Sequence, residues 1–245
     1  EDGPLELDVR SGESEALWRR VSRWTGLDVL APHLYLKVGG TWRRPSGEAS
    51  LQAAQVSWSA QEGGPPLPAI TGLIAQAKGD GEQITLDSFQ AKVAGQDLQA
   101  SLAVKMPAAL SEWRSPVDVV AKSLRGSLRL SDADLSAFAP FLPGWFGPGG
   151  RLSLDLTLAP QLQLSGVLQV QDATSRPLGA LGVVRGINAE LRFSGREVEV
   201  VRWEGKSGGQ PVAVKGKAAW TKDRQLALDL SLTGEHVPLV RDAGL

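Results

Sequence analysis

The chain has 245 residues, enough for one large β-domain or two ordinary domains. Hydrophobic residues make up 42% and charged residues 22%, the balance of a folded chain rather than a disordered one. Its 26 basic and 27 acidic residues are mixed along the sequence, so no basic tract marks a nucleic-acid partner. The absence of cysteine removes disulfides, thiolate zinc sites and cysteine nucleophiles.

The longest apolar runs, such as Leu181–Val184, are a few residues, against the roughly 20 that a spanning helix needs. The first residue is Glu1 and no signal peptide follows, so the chain is read as an excised or processed piece of a longer protein. A membrane anchor is then expected outside it.

Along the chain the dominant pattern is alternation with period two, the mark of half-buried strands. It begins with Leu5/Leu7/Val9, Leu34/Leu36/Val38, Ile84/Leu86 and Leu98/Ala100/Leu102/Val104. It continues through Leu124/Leu128/Leu130, Leu152/Leu154/Leu156, Leu162/Leu164 and Leu168/Val170. Val198/Val200, Val212/Val214 and Leu226/Leu228/Leu230/Leu232 end it. Turn signals separate the runs at Gly39-Gly40, Gly79-Asp80-Gly81, Gly95-Gln96-Asp97, Gly208-Gly209 and Lys222-Asp223. Two segments have helical spacing instead. Ser14 to Thr25 places Leu17, Val21 and Trp24 on one stripe, with Arg19 and Arg23 off it. Ser131 to Leu142 does the same with Leu135, Phe138 and Leu142, with Asp132 or Asp134 as cap and Pro143-Gly144 as stop.

The sequence also repeats itself. Sliding residues 70–104 onto 184–218 (an offset of 114) matches Gly72 to Gly186, Ala75 to Ala189, Gly81 to Gly195, Lys92 to Lys206 and Gly95-Gln96 to Gly209-Gln210. These six identities in 35 positions are few, but the apolar parity agrees: Ile84/Leu86 fall on Val198/Val200, Phe89 on Trp203 and Leu98/Ala100 on Val212/Val214. A looser match joins Leu34–Val38 to Leu152–Leu156 and Gly47 to Gly166. Two units of about 115 to 120 residues follow. They are residues 1–125, with the helix near 14–25, and residues 126–245, with the helix near 131–142, built as one continuous structure.

Catalytic chemistry finds few players. His33 and His236 are the two histidines, and neither stands in a repeated relation to a serine, a carboxylate or a second ligand. A triad needs a base with an orienting partner, and a zinc site needs three or four ligands. Asp132-Ala133-Asp134 resembles a metal-holding DxD, but at a helix start two acids are explained by capping and the helix dipole. Gly179, Gly182 and Gly186 have the wrong spacing for a nucleotide loop and are followed by a strand pattern. Trp145 and Phe146, in the turn-rich stretch Pro143–Gly150, are expected to cover the end of the core; the sharper alternative is a gate over a groove. The helix with Trp18, Trp24, Arg19, Arg20 and Arg23 is expected to cap a sheet edge with its aromatics and leave the arginines in water. Its alternative is to lie on an anionic membrane. The chain is therefore expected to be no enzyme, with no cofactor and no metal.

Leu152–Asp172 (LSLDLTLAPQLQLSGVLQVQD) and Val184–Leu232, running from VRGINAELRF through REVEVVRWEGKSGGQPVAVKGKAAW to LALDLSL, resemble the recurrent strand pairs of the TamB/AsmA-like family. Asp134–Pro143 (DLSAFAPFLP) resembles the short helix that precedes a new layer there. The resemblance is strongest over 126–235 and weaker over 1–60. It implies an all-β fold: an elongated, curled, antiparallel-rich sheet forming an open half-pipe with an apolar concave face. It also implies the periplasm of a Gram-negative bacterium and an inner-membrane anchor in the full-length protein. Phospholipid acyl chains are the implied ligand, moved between the inner and outer membranes. An outer-membrane barrel partner, in outer-membrane protein assembly, is the alternative role. Roughly 14 to 16 strands at about 4.8 Å spacing make a sheet on the order of 70 Å long. Alternation serves a closed β-sandwich equally well; the resemblance is what favours the open groove. On that reading Leu98, Leu102, Val104, Leu128, Leu130, Leu152, Leu154, Val212, Val214, Leu228 and Leu230 face a common lipid-binding channel, with Ala100 and Gly216 leaving room beside them.

Overall fold

The computed structural model describes residues 3–12, 15–41, 44–58, 67–106, 122–142, 144–147, 149–220 and 226–238. Among them are fourteen strands. They are β1 (Leu7–Ser11), β2 (Leu27–Leu30), β3 (His33–Thr41), β4 (Arg44–Trp58), β5 (Ile70–Gly79), β6 (Gln83–Val93) and β7 (Gln96–Lys105), then β8 (Arg125–Asp134), β9 (Arg151–Ala159), β10 (Gln163–Ala173), β11 (Val184–Ser194), β12 (Glu197–Ser207), β13 (Gln210–Trp220) and β14 (Leu226–Gly234). The order is β1-β3-β4 and then sequential to β14, with β2 pairing β4 beyond the end of β3. Among the described residues every strand belongs to this one sheet. The fold is an antiparallel sheet that does not close, curled rather than sandwiched, with short helical insertions.

The chain divides into two compact units, Glu1–Leu128 with Leu158–Leu162, and Arg129–Thr157 with Gln163–Leu245. In the first, Ala53, Val56, Leu73 and Ala91 form a buried cluster, with Leu27, Val29, Leu51, Ile70, Ala75 and Phe89 packed on it. In the second, Leu135, Val170, Ala173, Val184, Ile187 and Val212 form the core, supported by Leu142, Phe146, Leu152, Leu178 and Trp203. Each cluster sits at one end of its strands, where β5 and β11 begin and β6 and β12 finish.

The same backbone irregularities recur in the two hairpin sets. In β5–β6 the register shifts between Thr71/Ile74 and again between Gln76/Ala77. In β11–β12 it shifts between Arg185/Asn188 and between Glu190/Leu191, the same four positions 114 residues on. Gly72 and Gly186, inside the first bulge of each set, have φ of 59° and 60°. Only glycine adopts that conformation without strain. Ala94-Gly95 and Gly208-Gly209 both have positive φ and turn β6 into β7 and β12 into β13. The buried members follow: Leu73 corresponds to Ile187 and Leu98 to Val212. The looser match has a structural counterpart too. A Cβ at Gly47 would strike the Lys37 carbonyl oxygen and lie 3.0 Å from the Val38 Cα. One at Gly166 would strike the Asp155 carbonyl oxygen and lie 2.8 Å from the Leu156 Cα.

Three local expectations need correction. Gly39-Gly40 lie inside β3 rather than in a turn; Thr41 is the last described residue before Arg44. Ser131–Asp134 are the end of β8, and the helix is a 3-10 turn over Leu135–Phe141. A bulge explains this: Asp132 has φ 49° and its N–H donates to the Ser153 hydroxyl at 3.0 Å, so both aspartates extend the strand. Asp134 alone caps, accepting from the Ser136 N–H at 2.9 Å. The first helix, α1 (Glu15–Thr25), keeps its expected span. The starting residue Ser14, the stop at Pro143 and the turn at Lys222-Asp223 lie outside the described residues.

Close approach and positive φ make separable demands on glycine. Gly47→Ala and Gly166→Ala are expected to cost about 2 kcal/mol or more, because a neighbouring strand must move. Gly195, with φ 60° and open space around it, should cost about 1 kcal/mol as alanine. Urea unfolding of the three variants checks the ranking.

Candidate functional site

Direct cross-strand partners share a face, so the register shows how far the apolar surface extends. In the first unit one row runs Leu7–Val38–Gly47–Gly79–Ile84–Val104, and the next runs Val9–Leu36–Ala49–Ala77–Leu86. Both lie away from the buried cluster. Their middle members are glycine and alanine, and a small apolar cavity of about 110 Å³ opens there against Leu36, Val38, Ile84 and Met106.

In the second unit the rows are Gly166–Phe193–Val198–Ala218–Leu228 and Leu168–Leu191–Val200–Gly216–Leu230, with Val214 opposite Leu232 beside them. From β10 to β13 the members of these rows are half-buried, whereas Leu228, Leu230 and Leu232 on β14 are 60%, 49% and 54% exposed. The reverse face is charged. Arg192 meets Glu199 at 3.5 Å, Arg129 meets Asp155 at 2.6 Å, and Gln169 donates to Glu190 at 3.4 Å. Such exposed pairs stabilise little, well under 1 kcal/mol each in typical cases. Their weight is in keeping that face wet.

The eleven residues expected to line a channel fall into three groups. Leu98, Leu130 and Val212 are buried, and Val212 belongs to the second unit's core. Val104, Leu128, Leu152, Leu154 and Val214 are half-buried, with Leu152 packed against that core. Leu102, Leu228 and Leu230 are exposed. Gly216 does not leave room: a Cβ there would strike the Asp229 carbonyl oxygen of β14, so it marks a close backbone approach. Leu191, Phe193, Val198, Val200 and Leu232 share the exposed face and were not among the eleven. Val198, Val200 and Leu232 carry the alternation, and the odd-numbered Leu191 and Phe193 join them because the bulges in β11 and β12 change parity.

The aromatics behave differently from one another. Phe146 packs on the second core, while Trp145, 4.4 Å from it ring to ring, is largely exposed. On α1, Trp18 is half-buried and donates from Nε1 to the Gly12 carbonyl at 3.0 Å. Trp24 is 70% exposed and Leu17 is exposed too, so the expected aromatic cap over a sheet edge is not what the stripe forms.

The titratable groups are those of a surface. Asp134 is held below the ordinary carboxylate range by hydrogen bonds from the Ser136 hydroxyl and N–H. Asp80 is lowered by the Gln83 and Glu82 N–H groups that close the β5–β6 turn. His33 and His236 are exposed. Among the described residues no group of three or more His, Cys, Asp or Glu side chains is placed to hold a metal ion. Among the same residues no helix is long and apolar enough to cross a membrane. An open recess of about 700 Å³ is lined by a mixture that includes Arg185, Glu204, Lys206 and Val212. No protein-family model, curated protein or solved structure matches the chain.

The split within the eleven is measurable. Val212→Asp should cost on the order of 3 kcal/mol or more, since the charge would be buried without a partner. Leu230→Asp should stay within about 0.5 kcal/mol of the parent, because its side chain keeps its water. Chemical denaturation of the pair checks this.

Proposed function

We propose that the chain is a non-catalytic, lipid-binding segment of a TamB/AsmA-like envelope protein. In this reading it works in the periplasm of a Gram-negative bacterium and moves phospholipids between inner and outer membranes. The observation that carries it is the second unit's apolar face. Rows of opposed apolar residues, with Ala218 and Gly216 on β13, run from Leu168, packed on the core, to exposed leucines on β14, while the reverse face carries ion pairs. Soluble proteins seldom leave apolar side chains contiguous without a partner for them. Acyl chains suit such a face because apolar burial is non-directional, about 25 cal/mol per Å² removed from water.

The binding residues on this reading are the half-buried and exposed members of the rows, with Val214 beside them and Leu154 of β9, rather than Leu98, Leu130 and Val212, whose burial supports the fold. Leu154→Asp and Val214→Asp should each lose photo-crosslinking to a diazirine-bearing phospholipid while the thermal midpoint moves little. Collapse of the fold in both variants, with no lipid ever captured by the parent chain, overturns the reading.

A second reading has its own observation. Among the described residues β14 pairs with β13 alone, and its sequence, LALDLSLTG, contains no lysine, arginine or proline to discourage a further strand. Strand addition to an outer-membrane client or barrel partner, or to a second copy, would use this edge. It predicts concentration-dependent association in sedimentation velocity that Leu230→Lys abolishes. Monomeric behaviour of the parent at high concentration removes it.

A further inference from the structure

Helix α1 is strongly two-sided, and the side it turns toward its own strand is the polar one. Trp18, Arg19, Ser22 and Arg23, at i, i+1, i+4 and i+5, line the groove it makes with β2. Ser22 donates to Asp28 of β2 at 2.6 Å, and the Gly26 N–H closes the helix onto the Ser22 carbonyl at 2.7 Å. The opposite stripe, Leu17, Val21 and Trp24, is thereby turned away from β2. Leu17 is exposed, Val21 is half-buried and Trp24 is 70% exposed. At about 100° per residue Arg20 borders Trp24, about 40° from it, and Arg23 stands about 100° from Trp24, between that border and the β2 groove. Both arginines are exposed.

An apolar stripe bearing tryptophan, bordered by arginine and with low overall hydrophobicity, is the pattern of a helix lying in a bilayer interface. The indole takes the headgroup level and the guanidinium groups take lipid phosphates. We propose that α1 docks the first unit onto an anionic membrane surface, with Leu17 and Trp24 inserted at the headgroup boundary and Arg20 and Arg23 paired with anionic lipid. This contact lies in the first unit and does not depend on the apolar rows binding acyl chains.

The test uses the full chain and vesicles of phosphatidylcholine alone or mixed with phosphatidylglycerol, read by flotation. The parent should float with the anionic vesicles and release as salt rises. Arg20→Gln with Arg23→Gln should weaken partitioning on the order of 25-fold, about five-fold for each basic side chain beside an anionic surface. Trp24→Ser should weaken it at every salt concentration. Because these side chains are exposed, circular dichroism and the thermal midpoint should match the parent. Equal binding to neutral vesicles, or binding insensitive to the arginine and tryptophan changes, overturns the proposal. So does flotation lost in Leu154→Asp but kept in Trp24→Ser, which would assign lipid contact to the apolar rows alone. A stripe covered instead by a second copy would appear as a dimer that Trp24→Ser dissociates, and that also overturns it.

Discussion

A lone antiparallel sheet has to bury one face without a second sheet to bury it against. In a sandwich the two inner faces cover each other; here, among the described residues, β1 pairs β3, β2 pairs β4, and from β3 on each strand pairs its neighbour in sequence within one sheet. Each unit therefore makes its core locally, at one end of its strands, with what the chain has at hand. The first uses β2, whose Leu27 and Val29 pack onto Ala53, Val56, Leu73 and Ala91. The second uses its own connections: Leu135 of the 3-10 turn, then Leu142, Phe146 and Leu178. Ser175 and Ser207, both buried there, are satisfied by the Val184 N–H and the Leu181 carbonyl, so the plug carries no orphaned side-chain polar atom. The rest of the apolar face is left to solvent or to a ligand.

Bulges are what make local closure possible. An extra residue bends a strand and increases its twist, turning side chains on both sides of the bulge toward the same interior. Val170 and Ala173 flank Asp172, φ 50°, and both are buried; Leu130 and Ala133 flank Asp132 in the same way. Val184 and Ile187 flank Gly186 likewise. A regular strand would send one of each pair to the opposite face. Between residues 70–104 and 184–218 it is this backbone geometry that recurs, while most side chains differ. The matching glycines are therefore better evidence of a repeated construction than the count of identities.

Alternation made the strands legible, and three glycine turns fell where the hairpins are. It carried less far for the face that matters. Period two assigns a side chain to one side of its own strand but says nothing about which neighbour lies opposite, and a bulge changes the parity between strands. Leu191 and Phe193 are odd-numbered yet share a face with Leu168 and Val198 for this reason. Nor does alternation report burial: Val212 and Leu230 follow the same pattern and differ by the whole span from core to solvent. Gly216 read as spare volume because composition cannot distinguish an empty position from one filled by a neighbour's carbonyl. On α1 the stripe was visible, but helical spacing does not say which side of a helix meets the protein. That was decided by Ser22 reaching Asp28 and Trp18 reaching Gly12.

These two surfaces ask different things of a lipid. Contact along the apolar rows scales with area removed from water and is indifferent to orientation, so it has no means of selecting a headgroup. On the second unit's reverse face Arg192 is engaged by Glu190 and Glu199, Arg202 by Glu204 and Arg129 by Asp155. A phosphate approaching them would have to displace a carboxylate. Arg20 and Arg23 instead stand beside exposed tryptophan and leucine on a helix, where apolar insertion and charge act together. If lipid is the ligand of the rows and α1 docks on an anionic surface as proposed, discrimination by headgroup charge belongs to α1, and the sheet accepts whatever acyl chain reaches it.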